Sequence, residues 1–516
     1  MNAAYSKSIC IDDMFLSVRD QMEGMITEVQ TPQMMRATHD ELESYGETAG
    51  RELARRLVQA QLDLRAAQER PVTVKGEDGV PRPYRRESRR PLGTVLGEVM
   101  VTRLAYQAAG VSGLHPLDAL LNLPSELYSF GIRRRVAKHA AISSFDEVVE
   151  DLRTATGAHV GKRQVEELAV RAAVDFDAFY FERRTANDND LMEDTDDLLV
   201  LTVDGKGIVV VPNDLRPATK KAARKAVRKL VTRLLPGEKR NRKRMAEVAA
   251  IYTVPAFPRT PLDVLADLDN DDRERPLRPA VRNKRVLASV EKSAADVIEE
   301  AFRDANARDP QHRRRWVVLL DGNKDQLAFV KAAAKTLGVK VTIVVDLMHV
   351  LEYLWEAAHV FCGKSTPEAE AWVQQRLLWL LQGRPAGKIA TAMRQWARTM
   401  KLRGAALKTV RESARYLANH ARYMRYGDAI HQGLPIATGV IEGACRYLVK
   451  DRMDRGGARW TLTGAEAVLR LRALRASGDF DAYWAFHLRN ELARNHVSHY
   501  ADARLPDPMR GLRRVK

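Results

Sequence analysis

The sequence predicts an α/β domain on a mixed five-stranded sheet with flanking helices, interrupted by a helical insertion and preceded by a mainly α-helical region. Three observations predict it. Short apolar, β-branched runs recur at strand length: DLLVLTVDGKGIVVV, AEVAAIYTV, WVVLLDG and VKVTIVVD. Amphipathic helical segments alternate with the later runs, as in α/β domains. About sixty residues from Thr366 to Tyr426 are patterned as helix throughout, with Arg/Lys and Trp/Leu interspersed.

The first stretch, to about Gln68, reads as charged helix, with Leu53, Leu57, Ala60 and Leu64 along one face. From Arg70 to Arg90 the composition turns to Pro, Gly and Arg, which predicts a loop or flexible arm. Leu92 to Leu104 has strand character. Phe130 to Asp175 reads as several short helices. A helix, a Gly157-centred turn and a second helix opening with Lys162 and Arg163 suit a helix-turn-helix reader of the major groove. A helical hairpin packed on its neighbours fits the same pattern. Glu182 to Asp197 is a polar, acidic linker.

From Leu198 the expected order is a strand, a DGKG turn, a second strand to about Val211, a third over Ala246–Val254, then a helix over Ser289–Ala307. A fourth strand ends at Asp321, a helix covers Asp325–Leu337, a fifth strand ends at Asp346, and Leu347–Phe361 is helical. Three hairpin-linked strands followed by parallel crossover strands is the order of an RNase H-like fold. The expected division is a helical region and basic arm over 1–90, a helix-turn-helix-like DNA-binding region over 91–190, and the first part of the catalytic core over 191–362. A helical insertion over 363–430 and the core's C-terminal helices and tail over 431–516 complete it.

The balance of 84 Lys+Arg against 67 Asp+Glu, a formal net charge of +17, points to a polyanionic partner. No long apolar span or secretory leader is seen, so no membrane is expected. Cys10, Cys362 and Cys445 form no CxxC pair, which argues against a structural zinc site or disulfide framework and for a reducing cytosol.

Cleavage and joining of phosphodiesters need an aligned nucleophilic oxygen and charge compensation on the leaving oxygen. Two divalent cations held by several carboxylates supply both. In the strand order above, the first strand lies beside the fourth, where ligands bind in α/β sheets. Asp204 ends the first strand and Asp321 the fourth, so residues 321 − 204 = 117 apart become neighbours. Each Asp-Gly is also a plain turn signal. Asp346, ending the fifth strand, competes with Asp321 as second ligand. Glu442, in the first turn of a helix opening at PIATG, is the candidate third acid, although Glu there also complements a helix dipole. Asp346 and His349 share one face of a first helical turn, as a metal pair, an orienting hydrogen bond, or a cap beside a core histidine.

The most basic stretch runs from Arg216 to Arg244, with Glu238 its only acid. Lys220, Lys221, Arg224, Lys225, Arg228, Arg242, Lys243 and Arg244 in it are candidate phosphate contacts, on an insertion between the second and third strands. Arg446, Lys450 and Arg452 would bring a DNA backbone alongside Glu442. Trp460 is a candidate for stacking on a frayed base, or a core aromatic.

LTVDGKG, LRPATKKAA, KRMAEVAAIY, RRWVVLLDGNKDQ, VTIVVDLMHVLEYLW, PIATGVIEGACRYLVKDRMDRGGARW and GAEAVLRLRALR together resemble bacterial insertion-sequence transposases of the DDE type, most closely the ISKra-type family, from about Arg90 to His487. The resemblance implies an RNase H-like catalytic domain interrupted by a helical insertion between the second Asp and the Glu. It implies two Mg²⁺ (or Mn²⁺) ions on Asp204, Asp321 and Glu442, with Asp346 and His349 as an accessory pair. Cleavage and joining at terminal inverted repeats and at target DNA follow, by a homodimer or higher oligomer in the bacterial cytoplasm at the nucleoid. The Cys-rich zinc element that opens some related transposases is absent from this sequence. A domesticated DNA-binding protein, or an RNase H-like nuclease without strand transfer, would share much of this pattern.

Overall fold

Leu198–Val209 (β1) is a single twelve-residue strand that passes straight through Asp204-Gly205-Lys206-Gly207. The expected hairpin there does not form. Lys243–Val254 (β2) pairs with β1 antiparallel, residue by residue, from Leu198↔Val254 to Val209↔Lys243. This long partner overrides the Asp-Gly turn signal, and neither Gly205 nor Gly207 adopts a positive φ. Both glycines make room for side chains of β2: a Cβ would lie 2.9 Å from Met245 Cε at Gly205 and 2.9 Å from Lys243 Cδ at Gly207.

Arg282–Ser289 (β3), Trp316–Leu320 (β4) and Val341–Val345 (β5) complete a five-stranded sheet of order β3-β2-β1-β4-β5. β2–β3 is antiparallel, whereas β1–β4 and β4–β5 are parallel. β3 escapes sequence reading because RNKRVLAS is charged along its first half and lies at the sheet edge. Because the expected first and second strands are the single strand β1, the basic stretch connects β1 to β2.

This structure, a computed structural model, describes residues 11–185, 192–225, 230, 232–233, 241–268, 277–455 and 457–509. The chain divides into two units, Met1–Phe179 with Phe480–Lys516, and Tyr180–Asp479.

In the second unit the strands at the sheet's centre are apolar on both faces, as parallel neighbours require. Leu198, Val200, Val317 and Leu319 face the helix Leu347–Cys362 and the helices Pro367–Leu381, Ala386–Thr399 and Gly404–His420. The expected insertion therefore shares one apolar core with this face of the sheet. Leu199, Leu201, Val203, Val318 and Leu320 face the helices Ala294–Arg308 and Lys324–Leu337. Caps set these helix starts: Ser293 forms a capping box with Asp296, and Asn323 accepts from the amides of Asp325 and Gln326.

In the first unit, Thr38 and Glu41 form the capping box of a thirty-residue helix, His39–Gln68. The arm expected over Arg70–Arg90 is ordered. Lys75 and Pro81 form a bridge across a turn that Arg82 ties to Asp78, and Tyr84–Thr94 is a strand paired with Gly97–Ala108. Its arginines sit on the mainly exposed part of that edge strand, so composition alone resembles a loop. The strand expected over Leu92–Leu104 is accordingly two arms of a hairpin. Phe145–Thr156, with a Ser144–Glu147 capping box, ends at Gly157 with φ 66°, and Lys162–Ala172 follows.

The C-terminal helix Phe480–Asn495 belongs to this unit. Arg133, fully buried, holds Glu126 and Glu491 as ion pairs and lies 3.1 Å from His487 Nε2. His487 Nδ1 meets Asp175 at 2.6 Å.

Candidate functional site

The register of β1 against β4 builds the site. Its last parallel pair is Thr202↔Leu319, and the same offset carried two residues on sets Asp204 beside Asp321 (319 − 202 = 321 − 204 = 117). Strand alternation turns both side chains toward the face of Val200 and Leu319. Asp204 lies within β1 rather than at its end, just past the parallel pairing. Its Oδ1 accepts from the Gly205 amide at 2.6 Å and its Oδ2 from the Cys445 thiol at 3.2 Å. Asp321 follows β4 directly. Its Oδ1 accepts from the Asn323 amide at 2.9 Å, and its carbonyl accepts from Tyr416 Oη at 2.6 Å.

The third acid stands on the helix Gly439–Ala444, which continues through a π-helical segment, Cys445–Lys450. Such segments often mark functional positions in helices. Glu442 is exposed on the first turn. Partial burial of its carboxyl raises its pKa, Asp346 and Asp204 add to the rise, and His349 opposes it. The carboxylates thus feel one another across the end of the sheet.

Asp346 is buried and caps the helix Leu347–Cys362. Its Oδ1 accepts from the Met348 amide at 2.9 Å, its Oδ2 from the Thr438 hydroxyl, and its own amide donates to Leu320 O at 2.9 Å. It ties the ends of β4 and β5 to the segment leading to Glu442. His349 Nδ1 lies 3.1 Å from Glu352, so the structure gives Asp346 and His349 separate partners.

Glu247 was not anticipated. It sits on β2 opposite Gly205, and a Cβ on that glycine would lie 3.4 Å from its Oε2. Burial raises its pKa, Arg216 opposes this, and Asp204 and Asp321 add to it. The available signal was its place as the one acid within the apolar run AEVAAIYTV.

Among the described residues, one group of three or more His, Cys, Asp or Glu brings its ligand atoms within 4.8 Å of one another: Asp175, His487 and Glu491. Asp204, Asp321 and Glu442 share one end of the sheet without closing to that spacing. The Asp175 group is an ion-pair network. Arg133 and Arg494 already balance its carboxylates, and Arg133, which can only donate, engages His487 Nε2.

The basic candidates divide into surface and structural positions. Lys221, Arg224 and Lys225 are exposed on the helix Pro217–Lys225, and Lys220 Nζ donates to Asn213 O at 3.2 Å. Arg242 is half-buried and Lys243 exposed, the latter 3.7 Å from Asp454. Arg244 is committed to the fold: its guanidinium donates to Val290 O at 2.8 Å and Asp214 O at 3.0 Å. Arg228 lies outside the described residues. Arg446 and Lys450 are exposed beyond Glu442.

Two candidates are corrected. Trp460 is buried, its Nε1 donates to Met453 O at 3.1 Å, and its backbone pairs with the end of β1 and the residues following it. Arg452 is buried with its guanidinium 4.8 Å over the Trp460 ring. Both face inward, so neither presents a surface for a base or phosphate.

Comparison with family models and with curated proteins gave no match to this chain. Among the described residues, no helix is long and apolar enough to cross a membrane.

Proposed function

We propose that this protein is a metal-dependent DNA-cleaving and strand-transferring enzyme, the transposase of an insertion sequence, with an RNase H-like catalytic domain. The observation that carries the reading is the β1–β4 register that sets Asp204 beside Asp321, with the helix of Glu442 laid over them through Cys445. The strand order, three antiparallel strands followed by two parallel ones, supports the RNase H-like reading.

The donor set suits Mg²⁺ or Mn²⁺. It is all oxygen, and Glu442 is disfavoured in its charged form first by burial and then by Asp346 and Asp204, a repulsion that a cation relieves. Bound there, two divalent ions would supply an activated nucleophilic oxygen and charge compensation for the leaving oxygen. Asp321 suits the second position better than Asp346, both of whose oxygens are engaged in holding the fold. Lys221, Arg224, Lys225, Arg446 and Lys450 would hold phosphates of the element's inverted repeats and of target DNA. The helix Lys162–Ala172, with Lys162 and Arg163 exposed at its start, would read the groove, although Lys162 is paired with Asp146 and Arg163 with Glu167. Pairing two DNA ends calls for a dimer or higher oligomer, acting at the bacterial nucleoid.

The test is a cleavage and joining assay on end-bearing DNA with Mg²⁺ or Mn²⁺. The reading expects nicked ends and joined products from the wild type and neither from Asp204→Asn or Asp321→Asn. Cleavage without joining would indicate a nuclease. DNA binding without either product would indicate a domesticated binding protein.

A further inference from the structure

The helices Ala386–Thr399 and Gly404–His420 pack through Ile389, Ala390, Met393 and Ala397 against Val410, Ala414 and Leu417. Outside that seam they enclose an open cavity of about 720 Å³, lined by Arg394, Arg398, Lys408, Arg411 and Arg415 with one acid, Glu412. From residue 386 to 420 the sequence carries eight Lys or Arg and this single Glu.

Little within the protein neutralises these cations. Lys408 reaches Glu412 only at 4.0 Å, and Arg394 donates to the Ala414 carbonyl at 3.2 Å. Arg398, Arg411 and Arg415 are exposed and have no ion pair among the described residues. A solvated charged face of a helix usually mixes signs; a concave wall dominated by one sign focuses potential and attracts an anion. Three guanidiniums in one concavity suit the planar, bidentate recognition of phosphate. Tyr416, next to Arg415, donates to the Asp321 carbonyl and stacks on Tyr353 with ring centroids 3.9 Å apart. The cavity wall is therefore anchored to the strand end that carries the second aspartate.

We propose that this cavity is a phosphodiester-binding site that grips the backbone of the DNA flanking the reacting bond, independently of sequence. It rests on the reading of the protein as a DNA-processing enzyme and assigns the helical insertion a share of the DNA contact. The stretch from Arg216 to Arg244 then supplies only part of the electrostatic footprint.

The experiment uses the full chain and a fluorescent duplex of random sequence, titrated from low to moderate salt. In the variant R398A/R411A/R415A, the slope of log Kd against log salt should be shallower by about 2 to 3, at roughly 0.9 per phosphate contact. Affinity near 0.1 M salt should fall about tenfold or more, with an unchanged melting temperature. Independently, DNA should protect Arg398, Arg411 and Arg415 of the wild type from phenylglyoxal, read by mass spectrometry. Equal affinity and slope in the variant, or no protection in the wild type, would overturn this site while leaving DNA binding intact. Failure of the wild type to bind any duplex would overturn the functional reading as well and point to an acidic protein partner.

Discussion

The thiol of Cys445 donates to Oδ2 of Asp204 across 241 residues of sequence. This contact and the tie between Thr438 and Asp346 bring the helix of Glu442 back over the sheet after the long helical insertion. Burial and the neighbouring Asp204 carboxylate push the Cys445 pKa far up, so it remains a donor.

Glu442→Gln should change stability in a way that depends on pH and metal. The pKa of Glu442 is raised in the folded state, so the proton stabilises the fold at low pH and that contribution is lost as pH rises through the folded pKa. In metal-free buffer the variant should therefore gain on the wild type as pH increases from acid to neutral. Adding Mn²⁺ should raise the wild type's melting temperature and leave the variant's little changed. A rise as large in the variant as in the wild type would remove Glu442 from the ligand set.

Glu69 should make the first unit sensitive to pH near neutrality. Burial raises its pKa to about 7, against the Leu104 amide that its Oε2 accepts at 2.8 Å. A raised acid contributes stability fully present below its unfolded pKa and lost as pH rises through the folded value, here between about 4.5 and 7. Relative to Glu69→Gln, the wild type should lose on the order of 1–2 kcal/mol over that window, allowing for its partial exposure. Denaturant titrations at pH 5 and pH 8 measure the difference.

Arg133→Met should destabilise the first unit by up to about 3–5 kcal/mol, because it leaves the buried Glu491 with Arg494 alone and the half-buried Glu126 with Arg171 alone, neither of them as buried as Arg133. If the Asp175–His487–Glu491 group is held by arginine rather than metal, a chelator should leave the wild type's unfolding midpoint unchanged. A chelator-induced drop matched by zinc rescue would reverse that assignment.

Trp460→Ala should lower stability by about 3–5 kcal/mol, the usual cost of emptying a buried aromatic site. After correction for the unfolded fraction, DNA affinity should hold to within a factor of two. A large affinity loss in a fully folded variant would return Trp460 to the DNA surface.

Part of the sheet was legible in the sequence because β4 and β5 are short apolar runs, each followed directly by Asp. The expected runs WVVLLDG and VKVTIVVD contain β4 and β5, which end one residue before Asp321 and Asp346. The expected neighbourhood of the first and fourth strands is present in the β1–β4 pairing, and Asp204 and Asp321 share a face there. Glu442 could be singled out only by its motif, because spacing carries no information across the intervening helices.

Local pattern determined the short strands β4 and β5 and the helix period, and with them the α/β class and the aspartates at one end of the sheet. Tertiary structure decided what depends on distant partners. β2 kept Asp204–Gly207 extended where a local reading sees a turn, and β3 became a strand because β2 offered it an edge. Trp460 and Arg452 were drawn inward by the backbone pairing beside β1, and Phe480–Asn495 joined the first unit through Arg133. Backbone pairing and buried ion pairs link residues tens to hundreds apart, and no periodicity in the sequence encodes which of them will meet.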